Sequence, residues 1–576
     1  MVNDIYDPLT EYANVFRDRF KEVAERTFSE LAKEANIDIE QNRETCSRLY
    51  KTEQALDSIQ DRIGWCTTLC VLMLIAVVGG VGFIAWTFQE TAPQTLACVG
   101  AGAFVVLLLL LIKVYPRLKQ LKTERGELEK TIDDLKKTAW GQMAPLNRLY
   151  DWDILTRMMS ETVPRLEFDP YFTTQRLADL QATYGWDDSF NATRSVIYSH
   201  SGLINGNPFV ICRTRKMRMG EKTYYGSKTI YWTSREYGAD GKYHTVHHSQ
   251  TLTASVTAPY PNYYEKTRLI YGNTAAPDLI FTRTHSGLAS REKSLSFKWK
   301  KSRLRRKARN LDGADFAMMT NEEFEVAFDT SNRNNNQQYA LLFTPLAQES
   351  MLKLLKDKQW GFGDDFDFGK QKMINTIVSN HMQTLDLDMD PAQYRHFDYD
   401  KAKQDFYDIN ARYFRAIYFC LAPLLCVPMY QQIRPQQDIY GRDMQRHSAF
   451  WEHEALANFW GQEHFMHPQC VTDCILKTEQ QNRRGDNATI TVYAHGYRAV
   501  QRLTYVSKFG GDGRMHRVPV YWDEYLPVTG KGTMYMQEDN DTSDSANTQS
   551  QRLDHINNVL HKSKLDLYRR HIASKI

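Results

Sequence analysis

Four side chains able to hold a soft metal ion crowd into one short stretch, HFMHPQCVTDC: His464, His467, Cys470 and Cys474. Two imidazoles and two thiolates within eleven residues match the donor set of a tetrahedral zinc site. The spacing fits no standard finger, and Cys474 opens a strand-like apolar run where burial alone accounts for a cysteine. A metal-binding or enzymatic role would therefore draw on residues 447–474. The acidic run DLDMDP at 386–391 has the alternation of a calcium loop but lacks its sixth-position Gly and ends on Phe397 where the loop needs an acid. No phosphate-cradling glycine loop, nucleophile elbow or kinase signature is present.

A second chemistry is electrostatic. KWKKSRLRRKAR, residues 298–309, holds eight cations in twelve positions: Lys298, Lys300, Lys301, Arg303, Arg305, Arg306, Lys307 and Arg309. The whole chain has a formal net charge of only +3, so this is a local patch. Anionic lipid headgroups would suit it, as would solvent or acids of the same chain. Nucleic acid suits it less, because Phe297 and Trp299 are the only aromatics interleaved with the cations. In SLSFKWK, Leu295, Phe297 and Trp299 alternate with Ser296, Lys298 and Lys300, which predicts a strand with its lysines toward water.

What must position these groups divides into a helical front and a strand-rich body. Residues 64–88 and 91–112 carry no charge, and each is long enough for one helical crossing of a hydrocarbon core about 30 Å thick. The link QETAPQT has no Lys or Arg, whereas Arg48, Lys51 and Arg62 precede the hairpin and Lys113, Arg117 and Lys119 follow it. That bias predicts a multi-pass protein of the cell membrane with both termini cytoplasmic and the lipid bilayer as partner. Leu49, Leu56, Ile59 and Ile63 before the runs, and Leu118, Leu121, Leu128, Ile132 and Leu135 after them, predict an antiparallel coiled-coil stalk. Phe16, Phe20, Ala24, Phe28 and Leu31 mark a further amphipathic helix. The run 416–429 is too short for a crossing and reads as a buried core helix. Nine cysteines, an odd number and mostly in apolar runs, do not form a disulfide framework.

The expected fold is thus an α+β membrane protein. It comprises N-terminal helices and the first stalk helix (1–63), a transmembrane hairpin (64–112), a second stalk helix (113–140) and a β-rich α+β domain (141–395). A helical segment with a second β-rich module (396–530), a disordered linker (531–552) and a basic amphipathic tail helix (553–576) complete it. Within 321–369 the pattern reads strand, loop, strand, then helix from about Ala347. The β modules echo one another: YWTSREYGADGKYHTV at 231–246 and TYVSKFGGDGRMHRV at 504–518 share Gly-x-Asp-Gly followed by a base, His and Val. Asp-Gly between strand-like runs predicts a hairpin in each copy.

An N-terminal helix, two apolar runs and then Ser-Gly-Leu-Ile-Asn-Gly at 201–206 resemble a family of uncharacterised bacterial membrane proteins with a cytoplasmic domain of unknown function. Phe324–Glu325–Val326 and Tyr339–Ala340–Leu341–Leu342–Phe343–Thr344–Pro345 are similar to its later segment. The resemblance covers about residues 1–390 and implies a LemA-like helical membrane protein as partner, with no catalytic residues to carry over. The function expected is a membrane-anchored cytoplasmic binding or scaffold protein. A metalloprotein or enzyme, and a membrane-tethered nucleic-acid binder, are the alternatives.

Overall fold

The computed structural model describes residues 4–89, 94–187, 189–237, 239, 241–309, 316–435, 447–538, 566–568 and 571–575. Many side chains of the two apolar runs, and those of the last two strands, lie outside the description. The chain forms two compact units, Arg26–Tyr150 with Pro391–Asp408, and Met1–Glu25 with Asp151–Asp390 and Ile409–Ile576.

The smaller unit is built on two long helices, Ile39–Gln89 and Gln94–Asn147. They run antiparallel, with Lys136 Nζ 2.8 Å from Glu53 Oε1 and Gln142 Nε2 donating to Thr45 Oγ1 at 3.1 Å. Leu118, Leu121, Ile132, Ala139, Met143 and Leu146 are buried at steps of three, eleven, seven, four and three, each a sum of threes and fours, the spacing that keeps one helix face against its partner. Phe28 and Tyr150 pack on Phe406, and Asn147 and His396 exchange side chain–backbone hydrogen bonds.

Among the described residues no helix is long and apolar enough to cross a membrane. This corrects the transmembrane hairpin at 64–112, the α+β membrane fold and the multi-pass membrane location expected above. A crossing needs about 20 successive apolar residues. Between Arg62 and the first undescribed side chain, the run Ile63–Met73 is eleven residues long and includes Thr67 and Thr68.

The larger unit consists of helices around two antiparallel sheets. The first has the order β1-β2-β3-β4-β7-β6-β5 and the second β11-β12-β10-β9-β8. In the first, β1 is Leu166–Phe168, β2 Arg194–Ile204, β3 Asn207–Tyr237, β4 Tyr243–Gly272, β5 Ile280–Arg283, β6 Phe366–Gln371 and β7 Ile374–Ser379. In the second, β8 is Ile475–Arg484, β9 Asn487–Phe509, β10 Met515–Glu538, β11 Asp566–Tyr568 and β12 His571–Lys575. Both Asp-Gly signals fall at hairpin turns, where Gly241 (φ 75°) and Gly513 (φ 76°) adopt the left-handed backbone such turns require. The run 416–429 is core, with Leu421, Ala422, Cys426 and Val427 at 2% exposure or less. Phe20 stacks on Phe414 at 4.2 Å, so this part of the N-terminal amphipathic face is covered by the chain itself.

Several segments differ from their expected conformation. Leu295–Arg309 is a helix: Ser294 Oγ accepts from Phe297 N at 3.2 Å, and Phe297 and Leu304, seven apart, are its buried side chains. Three alternating pairs were too short a window to reveal that period. Glu322–Phe328 and Asn336–Leu342 are helices where strands were expected. Asn321 and Asn335 cap them, and Glu322, Glu323 and Glu325 favour the first helix by lying at its positive end. Residues 531–538, assigned to a linker, complete β10. The described part of the tail, assigned to a helix, is β11 and β12, with β12 pairing on β10.

Candidate functional site

The two longest strands among the described residues, β3 and β4, form one hairpin. It pairs without irregularity from Phe209↔Tyr271 to Tyr237↔Tyr243. Period-two alternation gives it two faces. The inner face carries Ile230, Leu252 and Ala254, which bury against Val518 and Val520 of the β9–β10 hairpin. Gly226 permits the closest approach: a Cβ there would stand 2.0 Å from the Pro519 carbonyl oxygen. The two hairpins thus form a two-layered arm held by its inner faces.

The outer face of β3–β4 is of another kind. The six outward residues of β3 from Thr223 to Thr233, and their six partners on β4 from His247 to Thr257, are all Thr, Ser or Tyr except His247. All are exposed, Tyr225 and Tyr231 by 77% and 78%. Thr223 and Thr257 approach at 3.2 Å between hydroxyls, and Thr229 and Thr251 at 3.1 Å. The outer face of β9–β10 is more apolar, with Leu503 opposite Tyr521 and Phe509 opposite Met515, all exposed.

The expected metal ligands are brought together only in part. Cys470 and Cys474 lie 3.6 Å apart, sulfur to sulfur. Gly496 leaves room for both, since a Cβ there would stand 2.4 Å from one sulfur and 2.9 Å from the other. Burial and the neighbouring thiol push Cys474 up to about 12 without a metal. His464 instead stands edge-on to Trp460 at 5.7 Å, and His467 Nδ1 accepts from the Gln469 amide. Among the described residues, the three donors within metal-binding reach of one another are His447, Asp486 and Glu538. A cation already serves that position: Arg483 Nη1 is 2.8 Å from Glu538 Oε2 and 2.9 Å from His447 Nδ1.

The basic run is partly neutralised within the fold. Lys300 meets Asp329 at 2.6 Å, Lys301 and Arg305 share Glu322 at 2.7 and 2.6 Å, and Lys307 donates to the Ser331 carbonyl at 2.5 Å. Arg303 lies over the Trp299 ring. Lys298, Arg306 and Arg309 remain exposed with no acidic partner among the described residues.

The buried ionisable groups act as fasteners. The helix Phe450–Trp460 places Glu452, His453 and Glu454 in the core. Glu452 accepts from Phe172 N and Ser199 Oγ at 2.9 and 2.8 Å. Glu454 accepts from Val196 N at 2.9 Å and faces Lys477 Nζ at 2.5 Å. Burial pushes Glu454 up to about 7 despite that lysine. Ser448, His453 and Glu538 have the residue types of a hydrolytic triad in a different arrangement. The carboxylate accepts from Ser448 Oγ, while His453 Nε2 stands 3.1 Å from the same hydroxyl. A triad needs the acid on the far imidazole nitrogen. Lys370 is 1% exposed, its Nζ has no hydrogen-bond partner among the described residues, and burial pushes it down to about 7. A cleft between Trp152, Phe168, Tyr198, His200, Leu387 and Tyr413 has a cavity volume of about 30 Å³, room for water.

Comparison with protein-family models, curated proteins and solved structures finds no match. Sequence reasoning passed over the hydroxyl face, although its signal is plain in TVHHSQTLTASVT, where every second residue is Thr, Ser or His. It also passed over the acids of FWEHEALANFW, marked by their position among aromatics.

Proposed function

We propose that the chain is a binding or scaffold protein whose working surface is the pair of hairpins. The observation that supports this reading is the outer face of β3–β4, where exposed tyrosines stand in a field of Ser and Thr hydroxyls free of charge between Glu221 and Arg235. Tyrosine offers a large, rigid, amphipathic contact area at low entropic cost, and short hydroxyl side chains adapt their hydrogen bonds to a partner. The buried acids, by contrast, are engaged by their own fold.

The test is a photo-crosslinking amino acid placed at Tyr231 or at Tyr505, with Lys358 as a surface control. The expected result is capture of a defined species at the hairpin positions and not at Lys358. Purified, that species should bind the Tyr225→Ala, Tyr231→Ala double variant at least tenfold more weakly than wild type. Equal capture at all three positions, or unchanged affinity, refutes the reading.

A further inference from the structure

We infer that copies of this chain join edge to edge through the β3–β4 hairpin, β4 of one copy pairing antiparallel with β3 of the next. This rests on the hairpins being the working surface and names their partner as a second copy. The sheet leaves most of both strands uncovered at their outer edges. β2 pairs with β3 only from Asn207 to Lys216, and β7 pairs with β4 only from Leu269 to Gly272. Beyond those limits no strand lies on either edge among the described residues.

The direction of the edge backbone groups follows from three observations. Thr267 donates its N–H to Gln383 Oε1 at 2.8 Å and accepts from Gln383 Nε2 at 3.0 Å, so its backbone faces away from β3. The register is unbroken from there to Tyr243, and in an antiparallel pair such facing alternates residue by residue. Every odd-numbered residue of β4 therefore turns its N–H and C=O outward. Pro259 and Pro261, which have no N–H to give a ladder, both occupy odd positions. The directly opposite odd residues of β3 face outward on the other edge. Gln383 closes the edge at Thr267 by imitating a strand with its amide; from Thr257 to Tyr243 the edge is open.

Proteins that must stay separate guard such edges with bulges, charges, prolines or a cover. Here the register has no bulge, and the outward positions between Glu221 and Arg235 carry no charge. The two prolines of β4 stand toward its root. A two-stranded ribbon is marginal on its own. The open stretch of β3 runs from Met217 to Tyr237, roughly 70 Å at about 3.3 Å per residue. A short peptide would cover a fraction of it, whereas a strand of matching length is carried by every other copy. Up–down order within each ribbon makes the β4-to-β3 junction antiparallel, and Thr, Ser and Tyr then meet Thr, Ser and Tyr across it without like-charge repulsion. The contact is heterologous and repeats until a ring closes.

The test uses the full chain in sedimentation velocity from 1 to 50 µM, with hydrogen exchange followed by mass spectrometry. The expected result is an oligomer with slow exchange across 245–257. Thr251→Pro removes one outward N–H from β4, and Ser227→Pro one from β3. Each should yield monomers with fast exchange at its edge, and mixing the two should restore dimers through their intact edges. Where a proline variant loses its fold, Thr229→Lys with Thr251→Lys, a charge guard, replaces it and should also give monomers. Wild type that stays monomeric with fast exchange at every concentration overturns the proposal. If another protein captured at Tyr231 protects the edge, the working-surface reading survives and self-assembly falls. If neither occurs, both fall. Dimers formed by Ser227→Pro alone would mean a β4-to-β4 contact and overturn the stated geometry.

Discussion

Lys370 lies on β6 at 1% exposure, opposite Asn375 of β7, with its Nζ 5.7 Å from the centre of the Tyr430 ring and no hydrogen-bond partner among the described residues. Burial holds its folded pKa at about 7 against the ordinary 10.5. Below pH 7 the amine is charged in both states, and the folded state carries the full cost of a desolvated cation. Between pH 7 and 10.5 the unfolded chain binds the extra proton, so stability rises with pH. Each pH unit in that window is worth about 1.36 kcal/mol, and the whole window amounts to about 5 kcal/mol. Lys370→Met retains the length and discards the charge. It should stabilise the protein by about 5 kcal/mol at pH 6, with the advantage over wild type shrinking by roughly 2–3 kcal/mol between pH 7 and 9. Urea unfolding of both proteins at pH 6, 7, 8 and 9 measures that difference, and subtraction removes groups common to the two. Parallel pH profiles, or a less stable methionine variant at pH 6, would refute the assignment of an uncompensated buried amine.

Glu538→Gln should cost about 3 kcal/mol by leaving the partly buried Arg483 without its counter-charge. Burial alone would raise Glu538, but Arg483, Ser448 and His447 hold it at about 2. Its contribution of about 3 kcal/mol is therefore present above pH 4.5 and lost as pH falls toward 2, a slope that acid titration of stability should find in wild type and not in the variant. Gly226→Ala forces a methyl group against the Pro519 carbonyl and should destabilise the arm by about 1–3 kcal/mol, read as faster amide exchange in 224–232 and 518–520. Leu252→Ala should cost about 2–4 kcal/mol by opening the same inner cluster, read in urea. If anionic surfaces bind the basic helix, alanines at Lys298, Arg306 and Arg309 should remove most of the heparin retention. Alanines at Lys301 and Arg305, which share Glu322, should remove less.

The hairpins were legible because strand signals act over two or three residues and are reinforced along the chain. Alternation from Tyr243 to Thr257, ended by Asp-Gly with a glycine at φ 75°, leaves few other conformations for that stretch. The failures share a cause. SLSFKWK and NEEFEVAF alternate just as plausibly over seven or eight residues, but Ser294 and Asn321, the polar residue that opens each run, cap a helix. A capping hydrogen bond contributes about 1 kcal/mol, comparable to the whole span of strand propensity, so one polar residue that also fits the alternation can reverse it. The candidate site shows the same limit at longer range. Cys470 and Cys474 are neighbours in sequence and meet, but the space that lets their sulfurs approach is left by Gly496, some twenty residues away. The open edge of β4 is likewise visible only once the pairing of β7 is known to reach no further along β4 than Leu269. Local pattern fixes which groups a strand presents; which of them stay uncovered is decided by where distant strands end.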